Sequence, residues 1–355
     1  MIKYIRPLLF PFAILYGIIV IMRNKCYDFG IFESRQFDLP VICVGNLVVG
    51  GSGKTPVTEY LVRLLSDYKI AILSRGYGRE TKGFILADAA ATAKSIGDEP
   101  LQYHQKFPQV TVAVCEDRVT GIERLQADHD LIILDDAFQH RKVKPGYSIL
   151  LFEFDKIRSM QWLLPSGDLR EPFTGYKRAQ QILITKSPLE VDGQTKQEIN
   201  GKFSTFNAEQ IAYASIQYNS LQTVYASAPI KTTVNTAATV FLLTGIANTK
   251  PLLQHLQSQY KRVIQHSYPD HHKFSTAEIK SLVQAFNSCP DTEKLIITTE
   301  KDAQRLLDAS IKDLLLNLPV FFLPIMVDIH AADRLKFNQD ILTYVSKHTR
   351  DRSIH

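Results

Sequence analysis

The sequence predicts an α/β protein in two lobes: a large lobe on a mostly parallel sheet, then a second, smaller α/β lobe, with an N-terminal apolar helix in front. Three stretches carry this reading. Residues 41–44 form a short apolar run, followed by Gly50-Gly51-Ser52-Gly53-Lys54-Thr55 and a helical pattern. Residues 131–134 form a second apolar run, closed by Asp135-Asp136. From Val240 onward, short apolar runs alternate once more with helical segments. The expected boundaries are 1–35 for the apolar helix, 36–205 for the large lobe, 206–235 for a connection and 236–355 for the second lobe.

Composition narrows the class. The chain has 355 residues, 45% hydrophobic and 22% charged, enough to build a proper core. A net charge of +5 suits an acidic ligand or an anionic surface without requiring either. No Lys/Arg run is interleaved with aromatics, so nucleic acid is not an expected partner. Cys26, Cys43, Cys115 and Cys289 are scattered, with no Cys-x-x-Cys pair. That excludes a zinc ribbon and a disulfide framework, and fits a reducing compartment.

At the N-terminus, residues 8–22 are almost entirely apolar, preceded by Lys3 and Arg6 and followed by Arg23 and Lys25. The run is shorter than the roughly 20 residues needed to span a bilayer. Two readings stand: a buried core helix, or a helix dipping into one membrane face with its cations near anionic headgroups.

Strand, glycine-rich turn, Gly-Lys-Thr and helix form the phosphate-binding loop of P-loop NTPases. Val48, Val49, Gly50, Gly51, Ser52, Gly53, Lys54 and Thr55 are the expected ATP-binding residues. Glycines let backbone N–H groups wrap phosphates, and the helix start adds partial positive charge. Lys54 should reach the β/γ-phosphates and Thr55 should ligate Mg²⁺. Val48 occupies the position where the motif usually opens with Gly.

The strand at 70–73 ends in Ser74-Arg75-Gly76-Tyr77-Gly78-Arg79, a loop expected beside the phosphates because ligands bind beyond strand C-terminal ends. Asp98 and Glu99 stand before a helix over 101–106; they suit its macrodipole or aim a carboxylate at the nucleotide. After a strand at 110–114, the apolar run 131–134 with Asp135-Asp136 has the Walker B form, placing one of these carboxylates on Mg²⁺ directly or through water. Gln139 and His140 project from the same corner. Strands follow at 148–152 and 182–185, separated by the proline-bounded Leu169-Arg170-Glu171-Pro172. Lys186-Ser187-Pro188 lacks the Asp that a guanine-specific site requires, which disfavours GTP.

Residues 200–236 are polar and strand-prone, reading as the connection between lobes. In the second lobe, strands are expected at 240–243, 262–266, 295–298 and 320–323, with helices over 250–260 and 275–286. Ser275 to Glu278 has capping-box spacing. Asp270-His271-His272 is a metal site, a catalytic histidine or a plain polar loop. Adjacent histidines point apart, so one metal does not take both, and His271 is the better catalytic candidate. The tail after Lys347 reads as polar and frayed.

Taken in order, these residues resemble the tetraacyldisaccharide 4'-kinase family, the lipid A kinases of Gram-negative bacteria. The resemblance rests on Gly45-Asn46, Gly50 to Pro56, Ser74-Arg75-Gly76-Tyr77-Gly78, Gly97-Asp98-Glu99-Pro100, Glu116-Asp117-Arg118 and Asp135-Asp136-Ala137-Phe138-Gln139-His140. It continues through Leu169-Arg170-Glu171-Pro172, Gly245-Ile246-Ala247-Asn248, Asp270-His271 and Thr298-Thr299-Glu300-Lys301-Asp302. The replaced first glycine is a feature of this family. Thr249 stands where the family usually has Pro. The resemblance implies an ATP- and Mg²⁺-dependent kinase of a lipid disaccharide on the cytoplasmic leaflet of the inner membrane, with no obligate protein partner. It implies that Asp98 and His271 act together as base on the sugar 4'-hydroxyl. It also suggests that Asn46, Glu99, Arg118, Arg170 and Glu171 line the nucleotide and headgroup cleft, where Arg75, Gln139 and His140 are expected as further substrate contacts. The same motifs would serve a membrane-bound P-loop ATPase switch or a kinase of a small metabolite.

Overall fold

The computed structural model describes residues 6–225 and 236–352. Lys3 and residues 226–235 of the expected connection lie outside them. Short helical turns apart, the first lobe runs α1 (Phe10–Asp28), β1 (Val41–Asn46), α2 (Lys54–Leu64), β2 (Ile70–Ser74), β3 (Ile85–Leu86), α3 (Asp98–Lys106), β4 (Thr111–Val114), α4 (Arg118–Leu125), β5 (Leu131–Asp135), β6 (Tyr147–Glu153), β7 (Gln181–Thr185), α5 (Gly193–Asn200) and β8 (Ile211–Tyr218). The second lobe holds β9 (Gln222–Thr223), β10 (Thr239–Thr244), α6 (Lys250–Gln259), β11 (Arg262–Ser267), α7 (Thr276–Ser288), β12 (Lys294–Thr299), α8 (Glu300–Leu306) and β13 (Val320–Leu323). The chain then returns to the first lobe as β14 (Ile325–Ile329) and α9 (Ala331–Arg352).

The large sheet has the order β14-β8-β7-β6-β1-β5-β2-β4-β3. Its pairs are parallel except β3 with β4 and β14 with β8. Helices cover both faces, so the inner strands are buried on both sides and read as unbroken apolar runs. Every residue of β1 and β5 is buried. β1 lies between β5 and β6, where the strand order reverses; the crevice beyond its C-terminal end is where an open α/β sheet takes a ligand. The smaller sheet, β11-β10-β12-β13-β9, is parallel except at β9. Ser275 caps α7: its hydroxyl accepts from the Glu278 N–H at 3.3 Å, and Glu278 accepts from the Ser275 N–H at 2.8 Å.

Two expected boundaries are corrected. The stretch 206–235 is not simply a connection, because β8 pairs with β7 and is buried from Ile211 to Ser215. Its alternation is loose because both of its faces are covered. The second lobe also does not extend to 355. β14 closes the large sheet against β8, and Phe337, Ile341 and Val345 of α9 pack into one core with Val57 and Leu61 of α2. Spaced at i, i+4 and i+8, these three form a stripe, each worth about 1.5–3 kcal/mol of burial to the first lobe. The tail after Lys347 continues as helix to Arg352 rather than fraying.

Helix α1 settles the first open reading. Only Ala13, Gly17 and Val20 are buried along it. These small residues let it lie close on the first lobe: a Cβ at Gly17 would stand 2.8 Å from Leu163 Cδ1. The opposite surface exposes Phe12 at 62%, Ile14 at 50%, Ile19 at 57% and Met22 at 63%. Trp162 packs edge-on against Phe10 of α1, and Phe29, Ile31 and Met160 are exposed as well. α1 is therefore not a core helix. No helix among the described residues is long and apolar enough to cross a membrane.

Candidate active site

The phosphate-binding loop leaves β1 and enters α2 at Gly53, whose φ of 85° is in the left-handed region open to glycine. Gly51 has nothing within 4 Å of where a Cβ would stand, which leaves backbone room for a phosphate chain. The loop is tied from below. Asn46 Nδ2 donates to Ser52 Oγ at 2.8 Å, Thr185 Oγ1 donates to the Ser52 carbonyl at 2.8 Å, and Lys186 Nζ donates to the Gly51 carbonyl at 2.6 Å. Val48 is buried and forms an antiparallel bridge with Leu169. A side chain that packs in the core explains why glycine is not required there.

Asp135 ends β5 and Asp136 follows with φ 49°, a conformation that costs of order 1–3 kcal/mol in a non-glycine residue and recurs at active sites. The two carboxylates differ. Asp136 faces Lys54 Nζ at 3.6 Å and accepts from Arg170 Nη1 at 3.2 Å. Burial raises the Asp136 carboxyl, but Lys54 and Arg170 outweigh it and hold it below the ordinary range. Asp135 is 1% exposed. Its Oδ2 accepts from the Tyr103 hydroxyl at 3.2 Å, while Oδ1 is buried without a partner. Burial, helped by Glu99 and Asp136, pushes its carboxyl up to about 7. A buried carboxylate with a spare oxygen and a raised affinity for positive charge fits a divalent cation. No group of three His, Cys, Asp or Glu side chains converges on a cage among the described residues.

A second cluster forms at the start of α3. Asp98 stands 3.6 Å from His271 Nδ1 and receives Arg305, which donates from Nε at 3.0 Å. Lys301 Nζ donates to Glu99 Oε1 at 3.2 Å and to His271 Nε2 at 3.0 Å. His271 has φ 59°, and its backbone N–H donates to the Gly245 carbonyl at 3.1 Å and to Asp270 Oδ1 at 3.1 Å. Asp270 thus holds the turn, and the ring is turned to Asp98. His272 points elsewhere, stacked on Tyr268 at 4.7 Å between centroids with Nε2 on Glu278 at 3.0 Å. Tyr103, on the same helix α3 as Asp98, donates to Asp135, so α3 reaches both clusters.

The residues expected along the cleft divide. Arg170 and Gln139 join the Asp136 corner, with Gln139 Nε2 donating to the Asn46 carbonyl at 2.7 Å. Arg75 is exposed. Burial, then Arg118, pulls His140 down to about 4, so its imidazole is neutral, and its Nε2 accepts from the Arg118 N–H at 3.4 Å. Three other expected residues are buried in this structure. Asn46, at 0% exposure, supports the loop from beneath. Arg118 is 2% exposed and spends Nη1 on the carbonyls of Cys115 and Glu116. Glu171, at 0%, accepts from Arg178, Gln139 and Asn24, and so ties α1 to the lobe. Glu171→Ala strands the Arg178 guanidinium and should cost about 3–5 kcal/mol. Thermal melting checks this, and an unchanged midpoint would contradict the tie.

Thr185, Lys186, Lys301 and Arg305 were not legible as site residues. Lys186 lies where a guanine-binding motif would be sought, and its φ of 56° is the mark of its special place.

Fold and site define a P-loop protein built for nucleotide-dependent phosphoryl transfer. A sequence model described as tetraacyldisaccharide-1-P 4'-kinase matches residues 5–346. The chain belongs to this family. A tetraacyldisaccharide 4'-kinase of Bacteroides thetaiotaomicron is 42% identical over 363 residues, covering 98% of this chain and 96% of the relative. One from Flavobacterium johnsoniae is 43% identical over 320 residues, covering 89% and 92%. A crystal structure of an "apo" form LpxK from Aquifex aeolicus, in complex with ATP, superposes with a TM-score of 0.72 at 29% identity, covering 96% of this chain and 99% of that one.

Proposed function

We propose that this chain transfers the γ-phosphoryl group of ATP to the 4'-hydroxyl of a tetraacylated glucosamine disaccharide 1-phosphate, forming lipid IVA. The observation that supports it best is the Asp98–His271 pair at the start of α3, the helix whose Tyr103 reaches Asp135, next to the Asp136 that faces Lys54 of the phosphate-binding loop. A nucleotide switch has no use for a second carboxylate–imidazole pair; an enzyme that deprotonates an alcohol does.

Phosphoryl transfer needs positioning and charge stabilisation more than covalent chemistry. Backbone N–H groups from Val48 to Thr55 cradle the phosphates, and Lys54 turns from Asp136 to the γ-phosphoryl. Thr55 and Asp135 are the proposed Mg²⁺ ligands, because Asp135 Oδ1 is unclaimed while Asp136 keeps Arg170 after Lys54 turns away. When bound, Mg²⁺ offsets the charge that develops between the β- and γ-phosphates. Asp98 accepts the hydroxyl proton, with His271 orienting it or sharing that proton. Arg75, Glu99, Gln139, His140 and Arg170 border the path of the headgroup.

The apolar surface of α1 is read as lying in the cytoplasmic leaflet of the inner membrane. Ile14→Glu with Ile18→Glu should lower co-flotation with anionic phospholipid vesicles on the order of tenfold or more. Equal flotation would remove α1 from membrane contact.

The direct test is label transfer from ATP, with Mg²⁺ and detergent, onto the tetraacylated disaccharide 1-phosphate. A labelled lipid supports the kinase reading. ATP hydrolysis with no labelled lipid would favour the switch.

A further inference from the structure

We propose that helix α8 of the second lobe is the orienting platform for the base: Arg305 fixes the carboxylate of Asp98, and Lys301, one turn earlier, fixes the tautomer of His271. This rests on the reading of Asp98 and His271 as the base pair. Both α8 residues are positioning residues, acting through the two they hold.

Arg305 is built into its own lobe first. Its side chain is 7% exposed. Nη1 donates to Asp302 Oδ1 at 2.7 Å and to the Gly245 carbonyl at 3.2 Å. Asp302 is itself fully buried, its Oδ2 accepting from the Gly245 N–H at 2.9 Å and the Thr299 hydroxyl at 2.8 Å. The guanidinium is planar and its donors cannot rotate independently. With one edge fastened to Asp302 and Gly245, the other edge, Nε and Nη2, is presented to the first lobe. Both donors meet Asp98 on the same oxygen, Oδ2. His271 Nδ1 faces that oxygen too. None of the three contacts uses Oδ1, so Oδ1 is the oxygen with lone pairs for an incoming hydroxyl proton.

Lys301 completes the arrangement by elimination. An ammonium carries donors only. Its Nζ lies 3.0 Å from His271 Nε2, so Nε2 is the acceptor and the ring proton of the neutral imidazole sits on Nδ1, toward Asp98. Positions 301 and 305 are i and i+4, which puts both side chains on one helix face. Lys106 Nζ, 2.7 Å from Glu300, registers the start of α8 against α3. The groups acting on Asp98 are then the His271 hydrogen bond and the cations Arg305 and Lys301. Burial pushes its carboxyl up, and these three together hold it below its ordinary value.

The experiment is a cycle of Arg305→Gln, Arg305→Lys and Lys301→Met, each alone and combined with Asp98→Asn, read as label transfer across pH. Arg305→Gln should lower kcat about 10- to 100-fold, as small misplacements at a reacting centre do, with KM for ATP unchanged. The acid limb of kcat should move to higher pH, because ionised Asp98 has lost a neighbouring cation. Arg305→Lys should return the limb to lower pH without recovering kcat, since charge is restored but the fork is not. Over Asp98→Asn, Arg305→Gln should cost nothing further. In histidine-¹⁵N-labelled protein, Lys301→Met should shift the His271 Nε2 resonance toward the protonated position.

Equal losses from Arg305→Gln with and without Asp98→Asn would make α8 a tether between lobes and overturn the proposal. So would an unmoved acid limb, or an unmoved His271 resonance. If Arg305→Gln does not fold, Arg305→Lys carries the kcat comparison with and without Asp98→Asn, and its acid limb is then expected near the native position. A fully active Asp98→Asn would instead defeat the underlying assignment of the base, which is a separate result.

Discussion

An Asp98→Asn variant should transfer phosphoryl groups about 10²–10⁴ times more slowly than the native chain, the usual contribution of a general base. The substitution removes the proton acceptor and little else. Arg305 keeps Asp302 and the Gly245 carbonyl, so no buried cation is stranded. ATP affinity should survive, because Asp98 is not part of the phosphate-binding loop. Steady-state label transfer gives kcat, and calorimetric ATP binding gives affinity. A near-native kcat would take Asp98 out of the mechanism; lost ATP binding would show that it organises the nucleotide site instead. In the native chain the carboxyl is held below its ordinary 3.8, so the acceptor form persists through neutral pH and is lost only below that value.

Lys54→Ala should lower kcat on the order of 10²–10³, as loss of one preorganised donor at a developing charge does. Lys54 lies at the start of α2 and already faces a carboxylate, Asp136, in place of a phosphate. Its removal leaves Asp136 paired with Arg170, so the fold should hold. Lys54→Arg should rescue little, since a planar fork does not replace a compact point charge. Label transfer under saturating ATP checks this. Native turnover in Lys54→Ala would undo the phosphate-loop assignment.

Both predictions concern residues visible in the sequence, for a physical reason. Lys54 and Asp135 sit in local patterns, strand to loop to helix and strand to carboxylate, that one stretch of chain completes alone. Asp98 was visible only as an acid before a helix, and its partner lies far along the chain in the other lobe. Arg305 gave no signal: an arginine inside a short helix usually faces water, and only the packing of α8 on α3 turns it to Asp98. For Asn46, Arg118 and Glu171 it is the burial that the sequence does not show. Their motifs placed them near the cleft, but sequence does not reveal that a polar group is sealed beneath its surface by Ser52, by strand-end carbonyls or by Arg178. β14 was missed because it is brief and polar at Asp328. α9 was missed although Phe337, Ile341 and Val345 carry a helical period, because that stripe is narrow on an otherwise polar helix.

The return of the chain through β14 and α9 bears on synthesis. β8 gains its second neighbour only when β14 emerges, about a hundred residues later, and until then it is an open edge able to pair with another strand. A ribosome adds roughly 5–20 residues per second, so this interval lasts seconds. The core beneath the phosphate-loop helix also lacks Phe337, Ile341 and Val345 throughout. The nascent first lobe thus matures after the second, and a stop codon placed between β13 and β14 should yield an aggregating fragment rather than a smaller working protein.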